Sequence, residues 1–240
     1  MRNAIAAVAA LTLASVFMPN AAADDLDNLD ALSQEQFRLL AADLSGVLSY
    51  KGLQPAEPYG VIGFDFGFEA SAVRVESEAA WRQAGVDDAS SIPLVRLAVT
   101  KGLPLGFDVG GFIATAPGTG LKNFGAQLRY ALVEGGVVTP AVGLRAAVTR
   151  LEGVDELEFD TRSLDISISK GFGPATPYLG YGRVWASATP GMNTGLAPED
   201  VDANRAFAGV RFSFVVLQFV LEAERVGDAT GYSAKLGFGF

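Results

Sequence analysis

The sequence predicts an all-β fold, a transmembrane antiparallel up-and-down β-barrel of about 10 strands (range about 8 to 12), with a short N-terminal amphipathic helix. Three observations predict it: an export signal, an alternation of apolar and polar side chains from Val61 onward, and an alternation of long and short connections. Half of the 240 residues are apolar, yet no stretch after the export signal resembles a membrane helix. A membrane protein without helical spans must be a closed barrel, since lipid cannot satisfy open strand edges.

Residues 1–23 have the layout of a secretory signal peptide. Arg2 gives a positive start, an apolar run extends from Ala4 to Met18, and small residues end at Ala23. The run is shorter than the about 20 residues that a membrane helix needs. We therefore expect cleavage near Ala23. No cysteine follows the run, which excludes a lipid anchor at this position.

Residues 24–59 form an acidic segment followed by the amphipathic helix. Ser33 and Gln36 have the spacing of a capping box, and apolar residues from Phe37 to Leu48 fall on one helical face. The pattern leaves three positions open for a helix from Ser33 to about Ser49: inside the barrel as a plug, against its periplasmic rim, or on the inner leaflet. Because most amphipathic helices are structural, we expect it to pack on the barrel end without a gating role.

Residues 60–240 alternate in ten passes, as β-strands do, because successive side chains point to opposite faces. In the first pass, Phe64, Phe66 and Phe68 alternate with Asp65 and Glu69. Such a strand suits a lipid-facing wall around a polar lumen. A soluble barrel would have the opposite orientation, and alternation alone does not exclude it. The pass at residues 176–187 has no clear facing.

The connections provide an independent check on this strand count. Those after the odd-numbered passes are the longer ones, above all residues 77–92, with a helical turn at about Glu78 to Ala84, and residues 189–203. Those after the even-numbered passes are tight. Outer-membrane barrels have an even strand number, short periplasmic turns and longer outer loops. With both termini periplasmic, the long loops are expected outside.

The strand phases place charges of both signs in the lumen. In so narrow a space they must be paired, because unpaired buried charges are costly, and a lumen of about 10 strands is only slightly wider than one that side chains fill. A packed network is therefore favoured over a narrow polar conduit. The expected lumen charges are Asp65, Glu69, Arg96, Asp108, Arg129, Arg145, Asp165, Arg211, Glu222, Glu224 and Lys235. The expected membrane-facing anchors are Phe64, Phe66, Phe68, Tyr130, Tyr232, Phe238 and Phe240.

The residue inventory argues against an enzyme. Without histidine or cysteine, the usual general bases, nucleophiles and transition-metal ligands are missing. Glu222 and Glu224 could act as an acid/base pair or bind a hard cation, although lumen salt bridges explain them more simply. We expect no catalytic residue, metal or cofactor, and the net charge of −9 disfavours nucleic acid. Acidic loop residues could hold divalent cations or contact a partner, or simply be solvated: Asp87, Asp88, Glu152, Asp155, Glu156, Glu199, Asp200 and Asp202.

The closing stretch, Thr230 to Phe240, alternates throughout and ends on phenylalanine. It resembles the C-terminal strand of Gram-negative outer-membrane β-barrel proteins, whose terminal phenylalanine serves as an assembly signal. The resemblance implies location in the outer membrane of a Gram-negative bacterium, contact with outer-membrane lipid, and recognition of this strand by the barrel-assembly machinery. Two functions stay open. One is a small-pore transport barrel for small solutes with a charged lumen; the alternative is a closed structural or surface-interaction barrel acting through acidic extracellular loops.

Overall fold

The structure, a computed structural model, describes residues 26, 28–86, 89–117 and 120–240. The predicted signal peptide and the loop acids Asp87 and Asp88 therefore lie outside the described residues. Two helices and ten strands follow in chain order. They are α1 (Gln34–Leu48), β1 (Phe64–Arg74), α2 (Glu78–Gln83), β2 (Ser91–Gly102), β3 (Phe107–Thr115), β4 (Lys122–Val133), β5 (Ala141–Glu152), β6 (Leu157–Ser169), β7 (Ala175–Pro190), β8 (Glu199–Phe214), β9 (Leu217–Val226) and β10 (Ala229–Gly239).

The strands form one closed antiparallel barrel in sequence order, with β10 paired to β1. The seam is in register over its length, from Asp65 opposite Gly239 to Arg74 opposite Thr230. Closure leaves no strand edge unpaired. The predicted up-and-down barrel and its strand number are confirmed. Among the described residues, no helix is long and apolar enough to cross a membrane.

The two ends of the barrel differ. The turn end carries residues 103–106, 134–140, 170–174 and 215–216, together with Phe64 and Phe240. The loop end carries residues 75–86, 89–90, 116–117, 120–121, 153–156, 191–198 and 227–228. Outer-membrane barrels have their longer loops outside, so the loop end is the one that the sequence analysis expects to face outside. The predicted helical turn after β1 is confirmed as α2. The predicted loop at 189–203 is wrong, because β7 and β8 stay paired as far as Ala188 and Glu199, which makes Asp200 and Asp202 strand residues.

The wall reverses its polarity along the strands. In the half near the turn end (the turn half), β6 points Ile166 outward and buries Asp165. In the half near the loop end (the loop half), the same strand buries Phe159 and points Glu158 outward. Apolar side chains inside and charged side chains outside, the arrangement of a soluble barrel, thus occur in the loop half alone. Other inward apolar residues there are Val73, Ile92, Leu94, Leu151, Ala186 and Ala188, and other outward charges are Arg74, Arg150, Arg162, Arg183, Asp202 and Arg225.

The structure also settles the facing of β7, which the sequence pattern left open. Tyr178 and Val184 point into the lumen, whereas Leu179, Tyr181 and Trp185 point outward. The pattern of β7 is ambiguous because the strand carries large apolar residues on both faces.

Helix α1 lies inside the barrel, in the loop half. It begins with the predicted capping box of Ser33 and Gln36, and Asn28 donates its backbone N–H to the carbonyl oxygen of Ala84 at the loop end (3.3 Å). The expectation that the helix packs on the barrel end is therefore wrong. The described part of the chain ahead of β1 starts at the loop end of the barrel. The apolar face of α1 matches the apolar inner wall of the loop half. Residues 49–63, which we call the lumen segment, connect the end of α1 to β1 and run through the turn half of the lumen.

Candidate functional site

The loop half of the lumen is filled by an apolar core around α1. Phe37, Leu40 and Leu44 on the helix are at most 1% exposed, and they belong to one cluster with Trp81 of α2 and Phe159 of β6. Dense apolar packing leaves no favourable site for water or ions. This half of the lumen is a plug.

Asp43 of α1 fixes the loop between β1 and β2. Its carboxylate, 4% exposed, accepts hydrogen bonds from the backbone N–H groups of Glu76 (3.2 Å) and Ser77 (3.0 Å) and from Nε1 of Trp81 (3.0 Å). A buried carboxylate needs such donors, because an unsatisfied charge in an apolar core is costly. The loop is therefore anchored to the helix.

The first turn of α1 holds a second loop. The Gln34 side chain donates to the carbonyl oxygen of Ala197 (3.1 Å) and accepts from its N–H (2.9 Å). Gln36 donates to Oε1 of Gln83 on α2 (2.6 Å). We call this assembly, made of the first turn of α1 with residues 75–86 and 191–198, the cap. α1 is thus an internal support for the outer loops.

An exposed ion pair lies on the same turn of α1. Arg38 and Glu35 are 2.6 Å apart, with side chains 58% and 64% exposed. The hydrogen bond that Arg38 donates to Glu35 raises the pKa of Arg38, and the charge of Glu35 adds to this effect. This pair faces water, so it is not expected to contribute much to stability.

The turn half of the lumen is polar and centres on Arg205 of β8, which is 0% exposed. Its guanidinium lies 2.9 Å from Glu224 and 3.4 Å from Asp165. Glu224 also pairs with Lys51 of the lumen segment (2.6 Å), and Asp165 with Arg145 (2.8 Å). The charges alternate in sign along this chain of contacts, as burial requires.

The arginines of the wall hold the lumen segment by its backbone. Arg205 donates to the carbonyl oxygen of Tyr50 (2.5 Å), and Arg129 donates to that of Pro55 (2.6 Å). Near the turn end, Arg211 pairs with Glu57 of the segment (2.8 Å). Charges and hydrogen bonds from the wall therefore bind the lumen segment, whereas apolar packing buries one face of α1.

A second charged cluster lies beside the seam. Lys235 of β10 pairs with Asp65 of β1 and lies 3.9 Å from Glu69. Glu69 also pairs with Arg96 of β2 (2.9 Å). The seam between the first and last strands is thus joined by ion pairs on its inner face.

The structure places the charges assigned to the lumen on the inner wall, all buried except the half-buried Arg211. The residues that sequence reasoning missed are Lys51, Glu57 and Arg205. Glu222 and Glu224 do not form an isolated pair, because Glu222 accepts from the Tyr178 hydroxyl (2.7 Å) while Glu224 faces cations. No group of three or more candidate metal ligands occurs in the part of the chain that the structure describes. The aromatic residues assigned to the membrane side are 36% to 59% exposed on the outer face: Phe64, Phe66, Phe68, Tyr130, Tyr232, Phe238 and Phe240.

A closed wall, an apolar outer belt and a charged inner face are the features of an outer-membrane β-barrel. No protein-family model and no curated protein sequence matches the chain. Among solved structures, it is similar to the KdgM porin (13% identity, TM-score 0.37, 75% of this chain and 99% of that one). It is also similar to the outer membrane protein OprG from Pseudomonas aeruginosa (10%, 0.34, 78% and 99%) and to the outer membrane protease OmpT from Escherichia coli (9%, 0.34, 74% and 96%). Similarity this distant carries no argument about function.

Proposed function

We propose that the protein is a closed outer-membrane barrel that acts by binding a partner at its loop end. The observation that carries this proposal is the position of α1, which fills the loop half of the lumen with apolar side chains and holds two outer loops in place. Of the two functions that the sequence left open, this is the closed surface-interaction barrel. No catalytic step is part of it, since the chain has neither histidine nor cysteine.

The apolar plug supports a closed lumen. An ion that crossed the barrel would have to pass the level of Phe37 and Leu40, where it would lose its water without gaining a polar partner. The charged turn half does not offer a path by itself, because it ends beneath this plug. In this proposal, the lumen charges hold the lumen segment and the outward aromatics anchor the barrel at the membrane surface.

The cap supports a binding role. Its loops are fixed by hydrogen bonds from α1, and a preorganised surface loses less entropy on binding than a mobile one. Its exposed residues include the acids Glu35, Glu76 and Glu78 beside the bases Arg38 and Arg82. Asp30 and Asp155 add further exposed acids at this end. An acidic surface favours a cationic partner.

Two measurements test the proposal on the full chain. Protein that is shown to be folded by its heat-dependent gel mobility should give no discrete conductance in planar bilayers. It should bind a fluorescent oligolysine at low salt, and the triple change E35Q/E78Q/D155N should weaken that binding severalfold. The matched control is E134Q, an exposed acid at the turn end, which should have no effect. Discrete channels, or equal binding by the triple variant, would refute the proposal.

A gated conduit for small solutes is the second candidate. Its supporting observation is a polar opening of about 260 Å³ at the turn end, lined by Glu57, Tyr59, Arg211 and Gln218 among others. The lumen segment above it is held by non-covalent polar contacts, which can be exchanged for water. This candidate predicts discrete conductance that changes when Arg129 or Arg145 is replaced by glutamine.

A further inference from the structure

The outer face of the barrel has a shallow groove of about 900 Å³ across β2 to β6. Its walls are apolar side chains that point toward the membrane, and a second depression of about 420 Å³ adjoins it. The two depressions share the outward side chains Leu97, Ile113 and Phe124. The apolar belt is therefore not a smooth cylinder on this side.

Small residues create the groove. A cross-strand row runs from Val99 through Gly111 and Ala126 to Val148. The two central positions lack large side chains, so the backbone forms the floor. A Cβ atom at Gly111 would lie 3.0 Å from the carbonyl oxygen of Gly125, which shows how close the neighbouring strand is.

Arginines lie at one end of the groove. The same row continues from Val148 to Arg162, and the next row leads from Phe124 to Arg150. Both arginines line the groove, and both stand where the outer face changes from apolar to charged. Lys122 has the corresponding position in the second depression. These cations are therefore expected at the depth of the lipid headgroups on the loop side.

The two arginines differ in their partners. Arg150 forms a bidentate pair with Asp160, with Nε–Oδ1 and Nη2–Oδ2 distances of 2.8 and 3.1 Å, which fixes its guanidinium and neutralises its charge. The side chain of Arg162 makes no hydrogen bond or ion pair with any residue that the structure describes. The N–H donors of its guanidinium group are available to an oxyanion, and guanidinium groups bind phosphate oxygens well.

We propose that this face binds an outer-leaflet lipid with a phosphate headgroup and at least two acyl chains. The chains lie in the two depressions, and the phosphate contacts Arg162. Charge complementarity selects this occupant: a groove that is apolar along its length and cationic at headgroup depth matches an anionic lipid. A second copy of the barrel would bring the same arginines toward an apolar belt, where they would lose water without gaining an anion.

The experiment counts lipids that stay bound to the purified full chain in native mass spectrometry. The probes are phosphatidic acid, phosphatidylcholine with the same acyl chains, and inorganic phosphate. R162Q removes the headgroup contact, and A126F fills the groove from the lipid side without touching the lumen. The matched controls are R225Q and A223F, which make the same changes on the outer face of β9, away from the groove.

We expect phosphatidic acid to be retained over phosphatidylcholine, and each of R162Q and A126F to weaken its retention about tenfold. R225Q and A223F should behave as the unmodified protein. Equal retention of both lipids would overturn the proposal, as would binding of inorganic phosphate alone or an A126F variant that retains the lipid fully. If the unmodified protein is a dimer and A126F is a monomer, the groove would be assigned to a second copy of the chain instead.

Discussion

The two halves of the barrel wall use the same strands with opposite polarity. On β5, Arg145 points into the turn half while Val148 faces lipid; a few residues later, Leu151 points inward and Arg150 faces outward. Along β5 the alternation of burial does not break, so the change is one of solvent. Whether the polar side chains point inward or outward indicates on which side of the wall the water lies.

The halves are also held together differently. The loop half resembles the core of a soluble protein, in which burial of apolar area contributes roughly 25 cal/mol per Å². The turn half depends on buried ion pairs. Their net contribution is small, but removal of one partner leaves the other charge uncompensated. Substitutions should therefore have different effects in the two halves.

The largest effect is expected from a charge placed in the apolar core. Leu44→Asp puts a carboxylate among side chains that offer it no partner, since Leu44 is 1% exposed. We expect a loss of about 5 kcal/mol of unfolding free energy, measured by urea unfolding in detergent. The matched control on the same helix is Leu39→Asp, at a residue 42% exposed, which should be tolerated. Similar losses from both variants would mean that α1 does not pack in the lumen as described.

Removal of the central arginine should be the most disruptive change in the turn half. Arg205→Met keeps most of the side-chain volume but leaves Glu224 and Asp165 with one cation each. We expect a loss of about 3–4 kcal/mol. A second change, Glu224→Gln, should restore part of that loss in the double variant. If the double variant is as unstable as the sum of the two single ones, the network does not act as a unit.

A smaller and more local effect is expected at the junction of α1 and the loop after β1. Asp43→Asn keeps the shape but not the charge that accepts three hydrogen bonds. We expect a loss of about 2 kcal/mol, with faster tryptic cleavage at Arg82 of α2. Glu35→Gln, on the exposed face of the helix, is the control and should leave the cleavage rate unchanged. Cleavage that does not accelerate would show that Asp43 does not fix this loop.

The sequence was sufficient for the wall and for most of the inner charges. Alternation is a local pattern, and in the turn half the contrast between lipid and lumen is strong. The phase of β10 could therefore assign Lys235 to the lumen. The predicted closed barrel also requires the last strand to pair with the first, and β10 does pair with β1. The capping box at Ser33 was equally local, and it is confirmed.

What the sequence did not predict depends on tertiary packing. An apolar helix face can pack on any apolar surface, so the sequence alone did not locate α1. Its position follows from the apolar inner wall of the loop half, which only the structure shows. Arg205 was missed because the loop expected at residues 189–203 placed the start of the following strand too late, whereas β8 begins at Glu199. Lys51 and Glu57 lie in the lumen segment, which has no regular structure and therefore no periodic signal.

The smallest effect is expected on the outer face at the level where the two halves of the wall meet, where it tests the polarity inversion directly. Arg183 lies in register with Asn204, next to Arg205 in the chain, but points outward, where it pairs with Asp202 at 2.7 Å. Its side chain is 55% exposed. If water covers this face, Arg183→Gln should cost less than about 1 kcal/mol, well below Arg205→Met. The same urea titration measures both. A loss as large as that of Arg205→Met would place Arg183 in lipid, and the loop half would then not extend beyond the membrane.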